Sequence, residues 1–238
     1  MSPELDHNKG SVMKEVAGLF NGPTGLRKAI EEIDSMIENL DKRRFVVSPA
    51  TESYIEVRSA AASLLRTFAL LGRCSFVASR LKDTRLTKDL EEITNELRSS
   101  REKYGARLES ALLQGAEEKV AEYYRWLSTF EDLVKEDRAG FEIEFESHLL
   151  QARDYIEYSF AGLAMAEIGN GSKASLERAR ESDSRLDSLI SSFTPKLLAR
   201  YPGYVVPLPS NFPESFWWRR AVFTVSERSR SKQASDAN

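Results

Sequence analysis

Apolar residues recur every three or four positions along most of the chain. Over residues 24–44 the seam is Leu26, Ile30, Ile33, Ile37 and Leu40. Such a period of about 3.5 marks a helix packed nearly parallel or antiparallel to its neighbours. Ser48-Pro49 supplies a cap and a first helical residue for the next helix, which runs to about residue 81. That helix holds the longest nearly apolar run, residues 59–77, with small residues on almost every side. A helix apolar most of the way round belongs in the middle of a bundle. Gly72 is the expected bend, and the alanines at 60, 61 and 62 invite a close neighbour.

Asp83-Thr84 predicts a turn and a new cap. Leu86, Leu90, Ile93, Leu97, Tyr104, Leu108 and Leu112 form the next seam, with breaks expected at Ser99-Ser100 or Gly105 and at Gln114-Gly115. Residues 116–137 carry Val120, Tyr123, Tyr124, Leu127, Phe130 and Val134, an aromatic set suited to a thick part of the core. Ala139-Gly140 interrupts. Residues 141–168 then present Phe141, Phe145, Leu149, Ala152, Ile156, Phe160 and Leu163. A loop is expected over 169–172. The last long helix, 173–193, uses Leu176, Ala179, Leu186, Ile190 and Phe193. Asp183 takes a core position in that seam, so the seam must open to solvent or find a cation there. Pro195 is expected to kink or end this helix.

The expected fold is therefore all-α: an elongated, mostly antiparallel bundle of five to six long helices with an extended Pro-rich C-terminal arm. Residues 1–22 read as a polar N-terminus with a short amphipathic helix, 23–201 as the bundle, 202–225 as the Pro-rich aromatic arm, and 226–238 as a disordered tail.

Composition narrows the function classes. A net charge of -3 offers no global attraction to nucleic acid, and none is expected as a partner. One cysteine, Cys74, allows no intrachain disulfide, and it lies in the apolar run as a small hydrophobe would. The polar N-terminus lacks the basic and apolar blocks of a secretory signal. Arg66 and Arg73 interrupt the one run that approaches membrane-spanning length. The expected location is cytoplasmic, with peripheral membrane attachment as the alternative.

Candidate chemistry is sparse. The two histidines are His7, near the N-terminus, and His148, which is expected to pair with Glu144 one turn away. A di-iron bundle needs Glu-x-x-His on two helices, and the residue three before His148 is Phe145. No metal or cofactor is expected. Gly169 and Gly171 lack the third glycine and the strand of a dinucleotide fingerprint. No base stands near a candidate nucleophile, so no enzymatic activity is expected.

The C-terminal arm is the distinctive stretch. Phe216-Trp217-Trp218-Arg219 follows four prolines within residues 201–213. One reading buries these aromatics in a groove of the bundle. Another exposes Phe216, Trp217, Trp218 and Arg219 as partner-binding residues, a residue mix typical of interface hot spots. A third places Trp217-Trp218 and the following arginines at an anionic lipid surface, with Val12, Val16, Leu19 and Phe20 as the second membrane contact. Similar heptad seams occur in spectrin-like bundles, membrane-curving bundles, helical adaptors and helical cell-death domains, and no motif assigns the chain to one of them. The leading expectation is a non-enzymatic interaction module, a scaffold or adaptor that binds a protein partner or self-associates. The alternative is a peripheral membrane-binding bundle.

Overall fold

The computed structural model describes residues 52–137 and 141–236. Among them there is no strand, and the chain is an all-α helical bundle. Helix α1 is Glu52–Leu81 and α2 is Thr84–Lys135. A short α3, Glu142–Glu144, runs into a π-helical stretch, Phe145–Leu150, and then into α4, Gln151–Ala166. Helix α5, Asn170–Glu177, continues as a 3₁₀ turn, Arg178–Ser182, into α6, Asp183–Arg200. A 3₁₀ turn at Pro209–Asn211 precedes α7, Trp217–Asp236. The helices expected over 11–20 and 24–44, the Ser48-Pro49 cap, the candidate membrane contacts Val12, Val16, Leu19 and Phe20, and the Ala139-Gly140 break all lie outside the described residues. No helix among the described residues is long and apolar enough to cross a membrane.

The chain divides into two compact units: residues 52–118 with 158–176, and residues 119–137 with 141–157 and 177–236. In the first unit the predicted seams meet. Leu64, Leu65, Phe68 and Leu71 of α1 are fully buried, as are Ile93, Leu97, Leu108 and Leu112 of α2 or nearly so. Between these helices Lys82 adopts a left-handed φ of 53, and the Asp83 Oδ1 accepts from the amides of Arg85 and Leu86 at 3.0 Å each. That is the expected cap, satisfying two amides that the helix start leaves open.

The three glycines expected to break helices behave differently. Gly105 alone leaves helical geometry, with φ 48 and ψ -122, a conformation that glycine reaches at little cost. Gly115 stays helical, and a Cβ there would stand 2.6 Å from the Ala61 carbonyl oxygen. Gly72 also stays helical within α1, where it lets the Tyr158 carbonyl approach. Both glycines serve close helix approach instead of bending. The loop expected over 169–172 is shorter than that. Gly169 takes a left-handed φ of 71, its amide donates to Glu109 Oε1 at 3.0 Å, and α5 begins at the next residue. Cys74 is buried, which pushes its thiol above the usual value.

The second unit is built on three phenylalanines. Phe145 and Phe193 stack at 5.0 Å, and Phe130 meets both edge-on at 5.5 and 5.2 Å. The π stretch adds a residue to one turn of the predicted 141–168 helix. Gln151 donates to the carbonyl of Glu146, five residues back. Leu149 and Leu150 are both buried as a result, and Arg153 and Glu157 follow them inside. Pro195 does not end its helix: α6 runs through it to Arg200, burying Leu197 and Leu198.

The largest departure from the sequence reading is at the C-terminus. Residues 217–236 form a helix, so neither the extended arm through Val225 nor a disordered tail from Ser226 describes it. Its serines return their hydroxyls to the helix: Ser226 to the Val222 carbonyl, Ser229 to Val225 and Ser231 to Glu227. Val222 and Ser226 are buried, which gives this polar helix an inward face.

Candidate functional site

The start of α7 is where the aromatic and charged side chains converge, entirely within the second unit. The chain turns there through a hydrogen bond that the Phe216 amide donates to the Pro213 carbonyl, at 3.0 Å. Phe216 lies between Phe212, on which it stacks, and Trp218, to which it is tilted, with centroids 5.9 and 4.9 Å away. Trp217 meets Trp218 edge-on at 6.0 Å.

Each indole finds an acceptor. Trp218 Nε1 donates to Asp154 Oδ1 at 2.8 Å, and Trp217 Nε1 donates to Asp183 Oδ2 at 3.0 Å. Arg219 forks onto Asp154, its Nε at 3.1 Å from both carboxylate oxygens and its Nη2 on Oδ2. Its Nη1 donates to Glu146 Oε1 at 3.0 Å. Arg153, from the same helix as Asp154, lies with its guanidinium carbon 4.1 Å from the centre of the Trp218 ring. It also donates to Glu157 at 3.1 Å and stands 3.7 Å from Asp183 Oδ1. Arg180 reaches Glu157 from the other side at 3.3 Å.

Charge is nearly balanced in this set. Arg153, Arg180 and Arg219 face Glu146, Asp154, Glu157 and Asp183. Burial pushes the Glu146 carboxyl above its usual range, and Arg219 pulls it back only in part. Burial also opposes the charge of Arg219, but Asp154 and Glu146 together outweigh it and hold that guanidinium above its usual value. Every one of these pairs spends a side chain on another side chain. The arrangement fastens helices; it does not present a nucleophile beside a base. Among the described residues no group of three or more His, Cys, Asp or Glu side chains is placed to hold a metal ion.

Of the residues expected to bind a partner, Phe216, Trp218 and Arg219 are buried and Trp217 is half-buried. The groove-burying reading describes them. Phe216, Trp218 and Arg219 are enclosed by the second unit, and Trp217 keeps part of its ring exposed. The cation sought for Asp183 is Arg153, shared with the Trp217 indole. Arg153, Asp154, Glu157 and Glu146 carry no sequence signal of their own, being charged residues beside an apolar seam, and the packing brings them together. His148 is exposed and stacks face to face on Trp126, with centroids 4.4 Å apart. That stack takes the place of the expected pairing with Glu144.

The burial has a spectroscopic consequence. A Trp126→Phe variant retains only Trp217 and Trp218 as emitters. Its emission is expected to be blue in plain buffer and unmoved by anionic vesicles. A red maximum, or a blue shift only with vesicles, would contradict this geometry.

Above this anchor the Pro-rich segment is exposed. Tyr204 closes a turn onto the Tyr201 carbonyl at 2.9 Å, and Arg230 of α7 donates to the Tyr204 carbonyl at 3.1 Å. Val206 is buried and pins the segment. Its neighbours point outward: Val205 is 80% exposed and Leu208 is 55% exposed. No family model, curated protein or solved structure matches the chain.

Proposed function

We propose that the chain is a non-enzymatic helical interaction module, a scaffold or adaptor, whose contact surface is the Pro-rich segment ahead of α7. The observation that carries this reading is the outward placement of Val205 and Leu208 on a backbone held at both ends. Pro207 and Pro209 restrict the backbone between and beyond them. A contact presented this way loses little freedom on binding, which favours affinity from a small surface. Phe216, Trp217, Trp218 and Arg219 then serve the interaction indirectly, as the anchor that keeps the segment in place.

The test is a Val205→Asp, Leu208→Asp double variant. Both side chains are exposed, so the helical circular dichroism is expected to match wild type. Affinity capture of partner protein, and self-association by sedimentation, are expected to fall at least about tenfold, the equivalent of 1.4 kcal/mol. Undiminished capture and self-association in the variant would overturn the reading. So would a wild-type chain that stays monomeric and captures nothing.

A further inference from the structure

We infer that Ser231 is a phosphorylation site, and that phosphate there frees the end of α7 from the Pro-rich segment. The sequence around it is Arg228-Ser229-Arg230-Ser231-Lys232, with one arginine three residues before the hydroxyl and another directly before it. Basic side chains on that side suit the acidic substrate groove of an arginine-directed serine/threonine kinase. Among the described serines and threonines, this pair of arginines precedes Ser231 alone. Ser110, Ser128 and Ser188 also follow an arginine by three residues, but they lie inside the long helices α2 and α6.

The site is open and loosely held. Ser231 is exposed, as are Arg228, Arg230 and Lys232. The Ser231 hydroxyl donates to the Glu227 carbonyl at 2.9 Å, a bond that water replaces at little cost. Beyond Ser226 no described side chain of α7 is buried. A kinase groove takes an extended segment, and a polar helix end without packing opens to one readily. The γ-phosphoryl group of ATP moves to Ser231 Oγ. The new P–O bond forms as the bond to the departing ADP oxygen breaks, and the hydroxyl proton passes to the catalytic base of the kinase.

Arg230 links this helix end to the Pro-rich segment. Its Nη2 donates to the Tyr204 carbonyl at 3.1 Å and its Nη1 to Glu227 Oε1 at 3.2 Å. Phosphoserine brings about two negative charges to a position one turn after Glu227, in the last turns of a helix, where the dipole disfavours an anion. Arg228, also one turn back, offsets part of that cost. The remaining repulsion acts on the turns that carry Arg230, so the hold on Tyr204 is lost and Val205 loses its fixed backbone. On the reading of Val205 and Leu208 as the contact surface, phosphorylation then weakens the contact.

The test incubates the full chain with MgATP and the catalytic subunit of cyclic-AMP-dependent kinase, an arginine-directed enzyme. Intact mass and peptide mapping are expected to show one phosphate, at Ser231, and none in Ser231→Ala, whose circular dichroism matches wild type. Arg228→Ala is expected to slow the transfer at least about tenfold. No transfer, or transfer to Ser235, which follows Lys232 by three residues, overturns the site. Hydrogen exchange on the phosphorylated chain tests the release. Amides of residues 204–206 and 227–236 are expected to exchange at least about tenfold faster than in the unmodified chain. Unchanged exchange over 204–206 overturns the release. Neither measurement involves a partner, so a failure here leaves the Val205 and Leu208 contact standing, and a failure of that contact leaves the phosphorylation site standing.

Discussion

Gly162→Ala is expected to be among the most damaging single-methyl additions in the first unit. A Cβ at residue 162 would fall well inside contact distance of the Phe68 carbonyl oxygen, and its nearest neighbours are all backbone atoms of α1. Gly72 stands in the reciprocal position, facing the Tyr158 carbonyl and the Gly162 amide. The two helices therefore cross with their backbones in contact, a distance only paired glycines permit. Alanine gains about 1 kcal/mol of helix propensity over glycine. That gain is overwhelmed here, because a side-chain tip can swing away and a helix backbone cannot. Separating α1 from α4 loosens the packing around Phe68 and Leu163, both fully buried.

Overpacking typically costs ~1–3 kcal/mol, and an unyielding obstacle puts this site at the upper end. At ~2–4 °C per kcal/mol for a chain of this size, the midpoint should drop by roughly 6–12 °C. Gly171→Ala is the control. Its Cβ would meet only the tips of Leu113, at 3.8 Å, and its stability is expected to stay within about 0.5 kcal/mol of wild type. Thermal melts followed by circular dichroism decide it. A Gly162→Ala midpoint level with the Gly171→Ala midpoint would remove the close-crossing argument.

The two halves of that crossing illustrate what a linear sequence can disclose. Gly72 stood out because it interrupts an apolar run, but the run itself gives no reason to choose between a bend and a contact. The choice depends on Gly162, ninety residues away, which lies in a helix with no apparent need for glycine. The seam from Leu86 to Leu112 was legible because each of its positions answers to one local rule, the period of 3.5. The Asp83 cap was legible for a similar reason. It needs only its own carboxylate and the amides that follow.

The candidate site was half legible. A carboxylate at position 183 of an apolar seam announces a missing cation. Arg153 lies four residues after Leu149 and three before Ile156, on the face of the predicted seam, but no local rule tells which charged residue of that helix meets Asp183. The tail failed for another reason. A run rich in serine and arginine reads as disorder on composition, yet Ser226 and Ser229 satisfy their hydroxyls on the turn before, and the basic side chains can stay in water. Helix α7 is held by its own first turn, above all Trp218 and Arg219.

Arg219→Ala is expected to have the largest effect in the second unit. Arg219 is the cation for both Asp154 and Glu146, and the three side chains are 7%, 13% and 16% exposed. Removing one partner of a buried ion pair typically costs ~3–5 kcal/mol, because the remaining charge has neither water nor a counterion. Lysine is not an adequate substitute. It would keep the charge but lose the fork that holds both Asp154 oxygens while reaching Glu146. Asp154→Ala should also be costly, since it strips the acceptor from the Trp218 indole as well. The double variant should cost less than the sum of the two, a coupling expected of residues in direct contact.

The pH dependence has a definite sign. Glu146 already sits above the ordinary glutamate value of 4.5 with Arg219 present, and without the guanidinium the upward push of burial and Asp154 is unopposed. A raised folded-state pKa contributes stability at low pH that is lost as pH climbs through it. The deficit of Arg219→Ala relative to wild type is therefore deepest at neutral pH and narrows on acidification toward 4.5. Urea unfolding at a series of pH values, monitored by Trp217 and Trp218 emission in the Trp126→Phe background, measures both effects. A deficit below about 1 kcal/mol, or one that widens in acid, would show that the start of α7 is held by its aromatic packing alone.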